Sequence, residues 1–355
     1  MSMLYAFELS GEHEKLPAAE VLACLKTEGL SYQVRFQIDQ CLGVEFAGKE
    51  EEVERALKGR VVERLAMTHH ILKVIGTSKN TFEEVLELAK SFEPSAFIQK
   101  GQSFSVRVKK IKHYTSNSLS GEFLEQKIGG CIYRKGFRAK LKTPDREFRL
   151  LLGEEAVFGV LVSSVDRSKY EARTPQKKPF FHPGVLMPRI ARTLVNISGI
   201  KEGEFFLDPF CGTGGILVEA ELVGAQVCGL DAQKKMVFGA RMNLKAFEIN
   251  SKSNYLLLEG DACKIPLKEA CVDSIVTDPP YGRSAAVLAA SLEILYSRAL
   301  LEFFRVLKPG GIAVVVSDRA VLEYGKKAGF KVLETYVQRV HRSLTRTITV
   351  FQKPC

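Results

Sequence analysis

Four acidic residues stand at the ends of short apolar runs. Asp208 follows Phe205-Phe206-Leu207, Asp231 follows Val227-Cys228-Gly229-Leu230, Asp261 follows Leu256-Leu257-Leu258-Glu259-Gly260, and Asp278 follows Ile275-Val276-Thr277. Runs of this kind read as buried parallel strands, which would bring all four carboxylates to the carboxyl edge of one sheet. Strand-end aspartates also cap helices, a reading that suits any single one better than four in series. The first acid opens Asp208-Pro209-Phe210-Cys211-Gly212-Thr213-Gly214-Gly215, and Ile216-Leu217-Val218-Glu219-Ala220 then begins a helix. Strand, glycine turn and helix N-terminus form a cradle in which backbone N–H groups face a ligand. A dinucleotide fingerprint needs a third glycine three residues after its second, and Leu217 stands there. Asp208 would also repel a pyrophosphate. It suits S-adenosylmethionine, whose sulfonium and amino groups are both positive. Phe210, Gly212 and Gly214 then line the cofactor. Asp231, with Ala232, falls where a doubly wound fold puts its ribose acceptor. Asp261, with Ala262, is placed to accept from the adenine amino group.

Asp278-Pro279-Pro280-Tyr281 names the chemistry. An exocyclic amine on a base is a poor nucleophile, because its lone pair is delocalised into the ring. Acceptors that hold its N–H groups can turn that lone pair toward a methyl group. Asp278 supplies a carboxylate and Pro279 a carbonyl; two prolines stiffen the turn. Tyr281 offers a flat face for an extruded base. These residues resemble the amino-methyltransferases with an (Asp/Asn/Ser)-Pro-Pro-(Tyr/Phe/Trp) signature. That signature separates neither adenine from guanine nor DNA from RNA.

The rest of the chain must position these residues and choose the substrate. Its 355 residues suggest two or three domains. No apolar stretch reaches the roughly eighteen residues of a membrane span, and the start shows no signal-peptide pattern. Eight cysteines without a C-x-x-C pair, and six scattered histidines, give no metal site and read as a cytoplasmic protein. The net charge of +10 favours a polyanionic partner. No obligatory protein partner is evident.

Residues 1–95 read as strand, helix, two strands, helix, strand, a ferredoxin-like α+β unit. Thr81 is expected to cap the second helix with Glu84 completing a capping box. Residues 96–163 change in character: a strand over 104–109, a helix from Ser120 ending at Gly129-Gly130, and strands around Thr143-Pro144-Asp145. Twelve Lys/Arg face four Asp/Glu between Arg107 and Arg149, so phosphate contacts are expected there. The RNA-binding candidates are Arg107, Lys109, Lys110, Lys112, Arg134, Lys135, Arg138 and Lys140. The segment resembles the THUMP domain, an RNA-binding module of tRNA-modifying enzymes.

Residues 164–180 read as a polar linker and 181–355 as the catalytic domain. Pro179-Phe180-Phe181-His182-Pro183-Gly184 could lie across the methionine end of the cofactor, with His182 and Pro183 as contacts. Pro309-Gly310-Gly311 reads as a tight turn before a fifth strand. Lys331 to Val340 and Thr345 to Gln352 read as a closing hairpin with a basic loop, His341-Arg342-Ser343. Tyr170-Glu171-Ala172-Arg173, the segment 179–184, the Asp208 loop and Asp278-Pro279-Pro280-Tyr281-Gly282 together closely resemble the THUMP-containing archaeal tRNA guanosine N2-methyltransferases that act on guanosine ten. The resemblance implies a Rossmann-like class I methyltransferase sheet in an α/β fold, S-adenosylmethionine, tRNA as partner, and one or two methyl groups on N2. A final antiparallel strand, which NAD-binding domains lack, is also implied. Another tRNA guanosine N2, adenine N6, a nicotinamide oxidoreductase and an inactive RNA-binding protein are the rival readings.

Overall fold

A computed structural model describes residues 3–111, 120–247, 255–281, 289–341 and 344–355, the side chains of 289–291 and 341 excepted. Lys112, Gly282 and Arg342-Ser343 thus lie outside the described residues. The chain divides into two compact units: Met1–Val21, Glu28–Glu63 and Met67–Asp166 form one, and Leu22–Thr27, Arg64–Ala66 and Arg167–Cys355 the other. No helix among the described residues is long and apolar enough to cross a membrane.

Among the described residues the first unit carries eight strands. They are β1 (Leu4–Leu9), β2 (Tyr32–Ile38), β3 (Cys41–Phe46), β4 (Thr68–Lys79), β5 (Ser103–Lys110), β6 (Arg138–Ala139), β7 (Arg146–Leu152) and β8 (Glu155–Ser164). Their order is β2-β3-β1-β4-β8-β7-β5-β6. The first four strands have the ferredoxin-like arrangement, and β4 then pairs antiparallel with β8. One sheet therefore continues through residue 95. The core does the same, since Val85, Ala89 and Phe92 pack with Phe104, Leu124, Phe148 and Phe158. Arg149 ties the two parts, reaching Glu8 at 3.0 Å and Glu147 at 2.6 Å. Thr81 caps the helix Phe82–Ser91 through the Glu84 N–H. The Glu84 carboxylate accepts from the Lys79 N–H rather than that of Thr81.

The helix from Ser120 does not stop at Gly129-Gly130. It spans Gly121–Arg134, capped by the Ser120 side chain. Leu124, Ile128, Cys131 and Ile132 are buried on one face at helical spacing. That burial outweighs the roughly 1 kcal/mol each glycine costs.

The second unit carries β9 (Phe205–Asp208), β10 (Gln226–Asp231), β11 (Tyr255–Glu259), β12 (Val272–Thr277), β13 (Leu307–Ser317), β14 (Lys331–His341) and β15 (Leu344–Gln352). The order is β11-β10-β9-β12-β13-β15-β14. Pairings among β9 to β13 are parallel, whereas β15 runs antiparallel to both its neighbours. The order reverses beside β9, so β9 and β12 open a crevice at their carboxyl ends. That is the switch point where such sheets bind ligands. Leu207, Ile275, Val315, Phe303 and Phe351 anchor the core beneath it.

Pro309-Gly310-Gly311 is not a separate turn. It lies inside β13, where the register with β12 jumps from Val272↔Leu307 to Ser274↔Ile312. The extra residues form a bulge, held by the Gly310 N–H donating to the Lys353 carbonyl and the Lys353 N–H donating to that of Gly311.

Candidate active site

The acids at the sheet edge differ in their surroundings. Asp208, at the end of β9, is 1% exposed. Its Oδ1 accepts from the Thr277 hydroxyl at 2.7 Å and from the Phe210 N–H at 3.2 Å. Burial pushes its carboxyl up to about 7, with Asp278 and Asp231 adding to the rise, against those two hydrogen bonds. A buried carboxylate so poorly neutralised welcomes an ammonium group. Asp231, ending β10, accepts from the Gly212 N–H and the Gln233 N–H, each at 2.9 Å. It thereby holds the glycine turn from the neighbouring strand and keeps lone pairs for further donors. Burial raises its carboxyl while the two N–H groups lower it. Asp261 is exposed, two residues beyond β11, and its Oδ1 accepts from the Cys263 N–H at 2.8 Å. Ala232 is exposed beside Asp231, and Ala262 is buried.

The cradle is built by glycine chemistry and close packing. Gly214 has φ +75°, and a side chain there would start 3.1 Å from the Ala240 Cβ. The helix Gly215–Glu221 follows it directly. Phe180 lies against Gly239, where any side chain would collide with its ring. Asn243 locks that contact. Its amide accepts from the Phe180 N–H at 3.0 Å and donates to the Phe180 and Thr213 carbonyls at 2.9 and 2.8 Å. The aromatic-proline segment is thus fastened to the glycine turn through Phe180. His182 is half-buried, with Nδ1 2.9 Å from the Pro183 carbonyl oxygen, and Pro183 is exposed.

Asp278 lies one residue past β12, with its side chain 16% exposed. The Tyr281 hydroxyl donates to its Oδ1. Arg346, on β15, has Nη2 3.9 Å from Asp278 Oδ2 and donates through Nε to the Tyr281 hydroxyl at 3.0 Å. The same guanidinium lies 5.8 Å from the Tyr281 ring centroid and donates to the Gly184 carbonyl at 3.3 Å. Burial pushes the Asp278 carboxyl up to about 6; Arg346 and the Tyr281 hydroxyl pull it down, and Asp318 raises it. Burial, then Asp278, drives the Tyr281 phenol far above its ordinary value. Tyr281 is therefore oriented by its hydroxyl, with a cation near one face. Tyr296 donates to the Pro280 carbonyl at 3.4 Å, which steadies the turn.

Sequence reasoning missed Arg346, Thr277, Asn243 and a buried ionic group beneath the glycine turn. In that group Glu219, 1% exposed, receives Arg173 at 2.8 Å and Arg192 at 2.9 Å. Thr277 had a signal, since it directly precedes the Asp-Pro-Pro motif on a buried strand. The others had none.

In the first unit the basic side chains divide. Lys109, Arg134, Arg138 and Lys140 are exposed, and Arg107 and Lys110 partly so. Arg107 donates to the Leu141 carbonyl at 2.8 Å. Lys135 is engaged in the fold rather than presented outward: it donates to the Lys90 and Phe92 carbonyls and pairs with Glu93 at 3.2 Å. Its place among the RNA contacts is not supported, because those groups already close the end of the helix Phe82–Ser91.

A parallel sheet with one inserted antiparallel strand, and acids at its switch point, defines a class I methyltransferase. Its cofactor is S-adenosylmethionine, and the Asp208, Asp231 and glycine-turn arrangement fits that molecule. A family model described as RMKL-like, methyltransferase domain, matches residues 175–348. The tRNA (guanine(10)-N2)-dimethyltransferase of Methanothermobacter thermautotrophicus is 34% identical over 97% of this chain and 98% of its own length. The protein of the same name from Pyrococcus abyssi is 33% identical over 98% and 99%. The crystal structure of TrmN from Thermus thermophilus shares the fold with a TM-score of 0.57 at 23% identity, covering 99% of both chains. This chain belongs to the tRNA (guanine(10)-N2)-dimethyltransferase family.

Proposed function

We propose that this chain methylates the exocyclic N2 of guanosine 10 in tRNA, once or twice, and does so in the cytoplasm without an obligatory protein partner. The observation that carries the reading is the Asp278 carboxylate, oriented by Tyr281 and Arg346 beside the Pro279 carbonyl at the sheet's switch point.

S-adenosylmethionine supplies an electrophilic methyl group when bound. Asp208 would hold its amino group, Asp231 its ribose and Asp261 its adenine. With its carboxyl near 6, Asp278 is mostly ionised at neutral pH and accepts an amine N–H. Each carboxylate oxygen can accept more than one hydrogen bond, so Tyr281 does not exclude the amine from Oδ1. The same carboxylate can take the proton that the methylated amine sheds. Pro279 offers the second acceptor through a carbonyl that the proline turn keeps in place. A target base must leave its helix at a cost of a few kcal/mol. Stacking on Tyr281, about 1–3 kcal/mol, would offset part of that. Residues 96–163 act as the THUMP module, with Arg107, Lys109, Lys110, Arg134, Arg138 and Lys140 meeting phosphates.

The test uses unmodified tRNA transcripts carrying guanosine or adenosine at position 10, with labelled S-adenosylmethionine. Label should enter only the guanosine transcript. Equal labelling of both would place the target elsewhere.

A further inference from the structure

The glycine turn is flanked by two buried groups of opposite charge. Asp208 precedes it. Lys178 lies at its far end: a side chain added to Gly215 would begin 3.3 Å from the Lys178 Nζ. Lys178 is 7% exposed. Its ammonium has no hydrogen-bond acceptor among the described residues, although the Lys178 backbone N–H donates to the Pro175 carbonyl. Glu219 does not explain it. No ion pair joins the two, and the Glu219 oxygens accept from the arginines instead, Oε1 from the Arg173 Nε at 2.8 Å and Oε2 from the Arg173 Nη2 and Arg192 Nε at 3.1 and 3.0 Å. Two buried arginines thus take up the one buried carboxylate, and the Lys178 charge is left against the cofactor turn. Burial lowers the Lys178 ammonium; Glu219 opposes that, and Arg173 adds a smaller lowering. A desolvated cation without an acceptor is costly unless an anion arrives.

We propose that Lys178 binds the α-carboxylate of the cofactor's methionine moiety, and that the turn between Asp208 and Lys178 reads the amino acid as a zwitterion. The carboxylate is the only anionic group of S-adenosylmethionine, so it is the one part of the ligand this cation can complement. The inference rests on the cofactor assignment. It adds to Asp208, which on the same logic takes the ammonium.

The test is calorimetry with two ligands on the intact chain. S-adenosylhomocysteine has the carboxylate, and 5′-methylthioadenosine lacks the whole amino acid while keeping ribose and adenine. For Lys178→Met, S-adenosylhomocysteine should bind on the order of 10–100-fold more weakly, the effect of losing a charge-assisted hydrogen bond. 5′-Methylthioadenosine should bind about as it does to the unaltered protein, and the melting temperature should hold or rise, since a desolvated charge is gone. If Lys178→Met does not fold, Lys178→Gln keeps a polar end and serves the same comparison. Equal weakening of both ligands would make Lys178 a structural residue, and unchanged S-adenosylhomocysteine affinity would remove it from the site; either result overturns the proposal. Failure of the unaltered protein to bind S-adenosylhomocysteine would instead count against the cofactor assignment itself.

Discussion

The guanidinium of Arg346 stands 3.9 Å from the Asp278 carboxylate, although the two residues come from different parts of the sheet. Asp278 leaves the end of β12, whereas Arg346 points in from the antiparallel strand β15. The inserted strand that distinguishes this sheet from a dinucleotide-binding one therefore contributes an arginine to its reactive edge. Arg346 lowers the Asp278 carboxyl against the rise that burial causes and, through the Tyr281 hydroxyl, directs the aromatic ring. One side chain thus holds both the Asp278 carboxylate and the Tyr281 ring.

Turnover should consequently fall as pH drops through about 6, where Asp278 takes up a proton and loses its role as acceptor. Arg346 lowers that carboxyl, so Arg346→Ala should move the acidic limb of the single-turnover rate to higher pH, by roughly one unit. Rate profiles of the two proteins between pH 5 and 9 check this. An unmoved limb would separate Arg346 from the ionisation of Asp278.

Burying Asp208 costs the fold stability at neutral and higher pH. Its carboxyl is raised to about 7 in the fold from an ordinary value of 3.8. Between those values the folded protein holds a proton that the unfolded chain has released. The stabilisation is full below the lower value and is lost as pH rises through the upper one. Asp208→Asn removes that loss. It should be more stable than the unaltered protein by on the order of 2 kcal/mol at pH 8, with a smaller gap at pH 5, and should bind S-adenosylhomocysteine more weakly. Denaturant unfolding at the two pH values decides; a gap independent of pH would contradict the burial argument.

Asp231→Ala should weaken S-adenosylhomocysteine by about 1–3 kcal/mol, the worth of charge-assisted bonds to ribose. The Gly212 N–H also loses its acceptor, so a modest drop in melting temperature should accompany it. Turnover at saturating cofactor should largely persist. Calorimetry and saturation kinetics separate these quantities, and a collapsed turnover with unchanged affinity would move Asp231 out of the ribose site.

Reversing the charges of Lys109, Lys110, Arg138 and Lys140 together should weaken tRNA binding by orders of magnitude and flatten its dependence on salt. Lys135→Ala should do neither, and should instead lower stability by about 1–2 kcal/mol through its lost bonds to the Lys90 and Phe92 carbonyls. Filter binding across salt concentrations, with thermal melts, distinguishes the two. Identical salt slopes for the unaltered and charge-reversed proteins would remove these four residues from the RNA contact.

Asp208, Asp231 and Asp278 were legible because each stands at or just past the end of a short apolar strand, so local pattern fixes where each acid stands. Arg346 was not, because its place depends on how β15 crosses the finished sheet, and alternation along a strand does not say which neighbour a side chain meets. Lys178, Arg173, Arg192 and Glu219 were hidden for the same reason: four charges spread over 47 residues look like surface until the core closes on them. The Gly129-Gly130 stop and the Pro309-Gly310-Gly311 turn went astray through local propensity. A buried helical face overrode it in the first case, and a bulge absorbed it within β13 in the second. Lys135 shows the limit of charge counting, since composition cannot tell a presented lysine from one closing a helix end.

The most direct measurement of the central claim is nucleoside analysis of tRNA incubated with labelled S-adenosylmethionine and either the unaltered protein or Asp278→Ala. The account predicts N2-methylguanosine and N2,N2-dimethylguanosine from the unaltered protein and neither from the variant, while S-adenosylhomocysteine still binds the variant within about tenfold. Label in N6-methyladenosine, or undiminished N2 methylation by Asp278→Ala, would contradict it.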